Sequence, residues 1–169
     1  MSQALYPAFE LACRNNQVAK AIEILEHEQI DVNHVNKYGS SPLILACIPG
    51  NIEIIKILLK YGADINIQGP EDWTPLHCAT FYGHVDVTMT LLESGAKKNM
   101  KNKTGCVPGL TFHTTCSNDT INEIQQLLAF DIDVSSCDAE VDHEGACDSV
   151  ETSLIKRLFS CHLFGTGTP

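Results

Sequence analysis

The chain has 169 residues, of which 44% are hydrophobic and 19% charged, a composition that builds one globular domain with a real core and excludes wholesale disorder. Its formal net charge of −10, from 21 acidic and 11 basic residues, repels phosphate backbones and anionic lipid, so neither nucleic acid nor a membrane surface is expected as a partner. No apolar run approaches the roughly 18–20 residues that cross a bilayer, and the opening MSQALYPAFELACRNN has no basic-then-apolar leader pattern.

Taken in chain order, the predicted elements are helix pairs. FELACRNNQVAKAIEILEHEQIDVN, within residues 1–35, reads as a pair lacking its first turn, with Leu11-Ala12-Cys13 opposite Leu45-Ala46-Cys47. The next two segments, 36–68 and 69–101, align without a gap at a spacing of 33 residues. Pro42 matches Pro75, Leu43 matches Leu76, Ala46 matches Ala79, Gly50 matches Gly83, Leu58-Leu59 match Leu91-Leu92, and Gly62 matches Gly95. In each copy Ser41-Pro42 or Thr74-Pro75 starts a short helix, the hydroxyl capping free N–H groups and the proline occupying the first helical position. Gly50 or Gly83 ends that helix. A second, amphipathic helix then runs from Ile52 to Lys60 or from Val85 to Glu93, and stops at Gly62 or Gly95. One such pair cannot bury its apolar face alone; stacked copies bury a continuous core.

Residues 102–136 form a weaker copy. Val107 replaces the capping hydroxyl, Gly109 replaces the core leucine, and about three extra residues separate the two helices. The expectation is the least stable helical pair, with a void at Gly109. In residues 137–169 the pattern is lost. An acidic, turn-like CDAEVDHEGACD precedes a capping-box candidate, Asp148 with Glu151, and an amphipathic stretch with Val150, Leu154, Ile155, Leu158 and Phe159 on one face. That stretch reads as a helix covering the open end, as a partner-binding helix, or as a loosely ordered end. No Lys or Arg falls between Thr104 and Ile155; such a run is a solvated face or a dock for a basic partner surface.

These residues resemble the ankyrin repeat: Thr74-Pro75-Leu76-His77 reproduces its TPLH signature, and LLKYGADIN and LLESGAKKN match its second-helix ending, over roughly Leu5 to Ser136. The resemblance implies an all-α solenoid of stacked helix-turn-helix units with β-turn fingers, about four repeats, the first an N-terminal cap and the last followed by a C-terminal capping helix. It implies a non-enzymatic module, monomeric on its own, that binds another protein on its concave face as an adaptor, scaffold or inhibitor. The alternative is the substrate-recognition subunit of an enzyme assembly such as a ubiquitin ligase or kinase complex, its C-terminal tail recruiting the machinery.

By repeat register the positions free to meet a partner are Lys37, Tyr38, Ser40, Ile48 and Pro49 in one unit, and Pro70, Glu71, Trp73, Phe81 and Tyr82 in the next. Aromatic side chains gathered on a rigid surface are the usual material of interface hot spots. The alternative is that Trp73 folds over its own turn and Phe81 packs on the following unit. The resemblance also makes Asn33, Asn66 and Asn99, each eight residues after a leucine, candidates for β-hydroxylation; the alternative is a turn hydrogen bond.

No phosphate loop, G-x-S-x-G, H-E-x-x-H or kinase signature is present, so no catalytic residue, metal ion or cofactor is expected. The resemblance implies that His77 ties a repeat together through a hydrogen bond, and Cys13, Cys47 and Cys78 are expected to pack as small hydrophobes. Cys137, His143, Cys147, Cys161 and His162 could supply four zinc ligands but include no CxxC knuckle, and no zinc site is expected. With 8 cysteines and no export signal, reduced thiols and a cytoplasmic or nuclear location are expected.

Overall fold

The computed structural model describes residues 5–27, 30–113 and 115–128. The candidate end helix, the zinc-like cluster and the acidic stretch beyond Leu128 lie outside them. Among the described residues there are seven α-helices and no strand: α1 Leu5–Arg14, α2 Val18–His27, α3 Pro42–Cys47, α4 Ile52–Lys60, α5 Pro75–Phe81, α6 Val85–Glu93 and α7 Asn118–Leu128. A 3-10 turn spans Pro70–Asp72.

The helix starts follow the local chemistry. Ser41 is extended and its hydroxyl accepts the Ile44 N–H at 3.3 Å; Thr74 accepts the His77 N–H in the same way. Gly50 and Gly83 both lie at φ 77 and end α3 and α5, a conformation that disfavours any side chain. The space is also taken: a β-carbon would meet the His84 ring at Gly50 and the Cys116 thiol at Gly83.

Packing runs in two layers. In one, α1 lies on α3 and α3 on α5; in the other, α2 lies on α4, α4 on α6 and α6 on α7, while each first helix packs on its own second helix. Phe9, Leu43, Ile44, Ile54, Ile55, Leu58, Leu76, Val87, Leu91, Ile124 and Leu128 form one continuous buried core through the units. This is the arrangement that lets each copy bury what it cannot bury alone.

Polar side chains stitch successive units at equivalent positions. Asn51 Nδ2 donates to the carbonyls of Cys13 and Arg14 at 2.8 and 2.9 Å, and His84, one repeat later, bonds the Ile48 carbonyl at 2.9 Å. Asn33 Oδ1 accepts the Asp64 N–H at 2.7 Å, and Asn66 Oδ1 accepts the Lys97 N–H at 2.8 Å. The first set is half-buried and the second exposed, and such repeated bonds fix the angle between units more than they add net stability.

The fourth unit departs from the expected helix pair. No helix forms over 107–113, so α7 stands without a first-helix mate in the described residues. Val107 offers no capping oxygen, and Gly109 adopts φ 82, which breaks the helix at its second position. The expected void is also absent. A β-carbon at Gly109 would collide with Leu128 Cδ1: α7 has filled the space that the missing leucine would have held.

Candidate functional site

Each unit joins the next through a five-residue finger closed by one backbone bond: Asn36 N–H to Ser40 C=O, Gly69 N–H to Trp73 C=O, and Asn102 N–H to Cys106 C=O. The outer two fingers are built alike. Asn36 Oδ1 accepts the N–H groups of Tyr38 and Ser40, both at 3.0 Å, and Asn102 Oδ1 accepts those of Thr104 and Cys106. Gly39 and Gly105 supply the left-handed residue.

The middle finger has neither device. Gly69 stands where the others have asparagine, and Glu71 and Asp72 take φ 54 and 59 without being glycine, a backbone cost of roughly 1–2 kcal/mol per residue. The reason lies in the preceding unit. His77 of α5 reaches forward through Nε2 to the Cys106 carbonyl at 3.0 Å. The same position in α3 is Ile44, whose Cδ1 sits 2.5 Å from where a β-carbon on residue 69 would be. Isoleucine thus replaces a hydrogen bond with bulk, and the finger above it must carry glycine.

Around these fingers the residues singled out by register separate into two groups. Tyr38, Pro70 and Glu71 are half-exposed and, with Lys37, Val35, Gln68 and Lys103, line a groove of about 420 Å³ between the finger tips. Lys37 Nζ lies over the Tyr38 ring, 4.9 Å from its centroid, a cation–π contact. Lys103 spans the next gap: its N–H donates to the Glu71 carbonyl at 3.0 Å and its ammonium lies 3.8 Å from the Glu71 carboxylate.

The second group does not form an exposed patch. Ser40, Ile48, Trp73 and Phe81 are 1, 8, 3 and 4% exposed, and Tyr82 is half-buried. Trp73 packs edge-on to Phe81 at 5.2 Å and tilted against His77 at 5.7 Å. The following segment covers what remains: the His113 N–H donates to the Phe81 carbonyl at 2.8 Å, and its ring stacks on Tyr82 at 5.8 Å and meets Phe81 edge-on. Gly109 N–H donates to Thr80 Oγ1 at 3.0 Å beneath it. The cover exists because the fourth unit makes no first helix and has residues to spare. Its signal in the sequence was the insertion itself, which the repeat register steps over.

The other candidates fall as follows. Pro49 and Lys37 are exposed. Asn33 and Asn66 hold the unit-to-unit hydrogen bonds described above, and Asn99 is exposed. His77 is buried; its Nδ1 accepts the Thr74 N–H at 3.1 Å, which leaves the proton on Nε2 to donate to Cys106. Burial lowers its pKa against the raising effect of the Cys106 carbonyl. Burial pushes the thiols of Cys13 and Cys78 up to about 12 and that of Cys47 well above the ordinary range, so all three are neutral packing groups. Among the described residues no three His, Cys, Asp or Glu side chains are grouped to hold a metal ion, and no helix is long and apolar enough to cross a membrane.

Comparison with known proteins agrees with this architecture. The family model for ankyrin repeats in three copies matches residues 9–102, more than half of the chain, and the chain belongs to the ankyrin-repeat family. An ankyrin repeat protein of Rickettsia bellii is 49% identical over 43 residues, covering 25% of this chain and 26% of that protein. Human transient receptor potential cation channel subfamily A member 1 is 47% identical over 49 residues, 29% of this chain and 4% of the channel. The Notch-regulated ankyrin repeat-containing protein of Xenopus laevis is 32% identical over 68 residues, 38% of this chain and 60% of that protein. The chain therefore spans less than two thirds of each of these relatives. Ankyrin repeats are in general protein–protein interaction modules and not enzymes.

Proposed function

We propose that the chain is a non-enzymatic adaptor, scaffold or inhibitor that holds a partner protein against its fingers. The observation that carries this reading is the groove between Tyr38 and Pro70–Glu71, bounded by Lys37 and Lys103. Trp73 and Phe81 are packed inward, whereas here an aromatic ring, two ammonium groups and a carboxylate line a recess on a rigid scaffold. Interfaces draw their strength from a few such anchors on preorganised surfaces. The net charge supports a protein rather than a nucleic acid or membrane as partner. A cytoplasmic or nuclear location and a monomeric state belong to the same proposal. Hydroxylation at Asn33, Asn66 and Asn99 rests on the family resemblance alone and is read as one added oxygen in peptide spectra.

The test is affinity capture from cell lysate with the wild type, the double variant Lys37→Glu, Tyr38→Ala, and Met89→Ala on α6, each checked for helical folding. The reading expects a protein held by the wild type and Met89→Ala and lost by the folded double variant. Capture unchanged by the double variant contradicts it.

A further inference from the structure

The groove has a sign, and the sign names a class of partner. Its charged lining residues are Lys37, Glu71 and Lys103, a local excess of one positive charge in a molecule whose formal net charge is −10. Lys103 already shares its charge with Glu71 at 3.8 Å. Lys37 is exposed, is held over the Tyr38 ring, and has no carboxylate partner among the described residues. An ammonium fixed against a ring is a preorganised site for one opposite charge, since little side-chain freedom remains to be lost on binding.

The chemistry of the donors narrows the anion. A phosphate group calls for several donors and is best met by the planar fork of arginine. The groove contains no arginine, and its single unshared ammonium matches a carboxylate. Val35, 45% exposed, and Pro70 give apolar walls on either side. We infer that the finger-tip groove takes an extended acidic peptide segment of a partner protein, with one Asp or Glu carboxylate on Lys37 and a neighbouring apolar side chain against Val35 and Pro70. This rests on the groove being the partner site, and goes further by assigning the charge of what it holds.

A random-sequence peptide array probed with the full chain, and with its Lys37→Glu, Tyr38→Ala and Val35→Asp variants, tests both levels separately. The inference expects Asp and Glu to be enriched several-fold among peptides bound by the wild type. Enrichment should disappear or turn toward Lys and Arg with Lys37→Glu, and binding should weaken at higher salt. Peptides that bind the wild type, are lost with Tyr38→Ala and Val35→Asp, yet show no preference for acidic residues would overturn the assigned chemistry and keep the groove. Acidic enrichment that Lys37→Glu leaves intact would also overturn it. Binding indifferent to all three variants, or no binding above background, would overturn the groove as well.

Discussion

Acidification should loosen this protein through His77, and the effect can be worked from its surroundings. The imidazole is 3% exposed, accepts the Thr74 N–H at Nδ1, and donates from Nε2 to Cys106. Thr74 Oγ1 also lies 2.8 Å from Nδ1, but burial of the ring penalises its charged form, so the folded state favours the neutral one. Its pKa is accordingly lowered from the ordinary 6.5, burial being the larger cause. In the unfolded chain the ring protonates at that ordinary value. Between the two pKa values the unfolded state therefore binds more protons, and unfolding free energy rises with pH. The contribution is fully present above pH 6.5 and is lost as pH falls toward the folded value, at up to about 1.4 kcal/mol per pH unit. His77→Gln keeps a neutral amide near the same carbonyl at every pH. Urea unfolding followed by circular dichroism should show the wild type losing stability faster than His77→Gln below pH 6.5, and the two running parallel above it. Parallel curves throughout, or a wild type that gains on the variant as the pH falls, would refute the assignment of the neutral ring. Removing the ring outright with His77→Ala leaves the buried Thr74 N–H without its partner and the Cys106 carbonyl with the Asn102 N–H alone, and should destabilise by roughly 1–3 kcal/mol.

Other expectations follow from single positions. Asp72 occupies the register of Gly39 and Gly105 at φ 59, so Asp72→Gly should stabilise the fold by about 1 kcal/mol, read as a higher urea midpoint with unchanged slope. Gly109→Ala meets both a positive φ and Leu128; it should destabilise by about 2–4 kcal/mol and raise hydrogen exchange in α7 first. In native protein at neutral pH, maleimide labelling mapped by mass spectrometry should leave the buried Cys13, Cys47 and Cys78 unmodified, while Cys116, partly exposed but with its thiol also pushed up by burial, reacts slowly.

Much of the fold was legible because each repeat carries its own punctuation. Ser41-Pro42 and Thr74-Pro75 mark helix starts, Gly50 and Gly83 mark their ends, and the 33-residue spacing sets neighbour on neighbour. The fourth unit was legible only in its weakness. Val107 and Gly109 announced a poor helix, but that the helix would be absent, and Leu128 would fill the space, depends on contacts some 20 residues apart. The site suffered from the same gap. Register placed Trp73, Phe81 and Tyr82 at free positions because it assumes every unit repeats its predecessor; the fourth does not, and His113 folds over Phe81 and Tyr82, while Trp73 packs on Phe81 and His77 of its own unit. Tyr38, Pro70 and Glu71 remain half-exposed, as their register suggests, since fingers are local structures closed by bonds within five residues. The pairing of Ile44 with Gly69 was invisible in sequence, where the two read as unrelated lapses from a pattern.

The most direct test of the account is photo-crosslinking of the full chain in cells with a photoreactive residue placed at Pro70, in the finger-tip groove, or at Met89, 43% exposed on α6. The account predicts a discrete protein adduct from position 70, weakened by Lys37→Glu, and none above background from position 89. An adduct from position 89 with none from position 70 would move the partner to the second-helix layer and contradict the finger groove as the working surface.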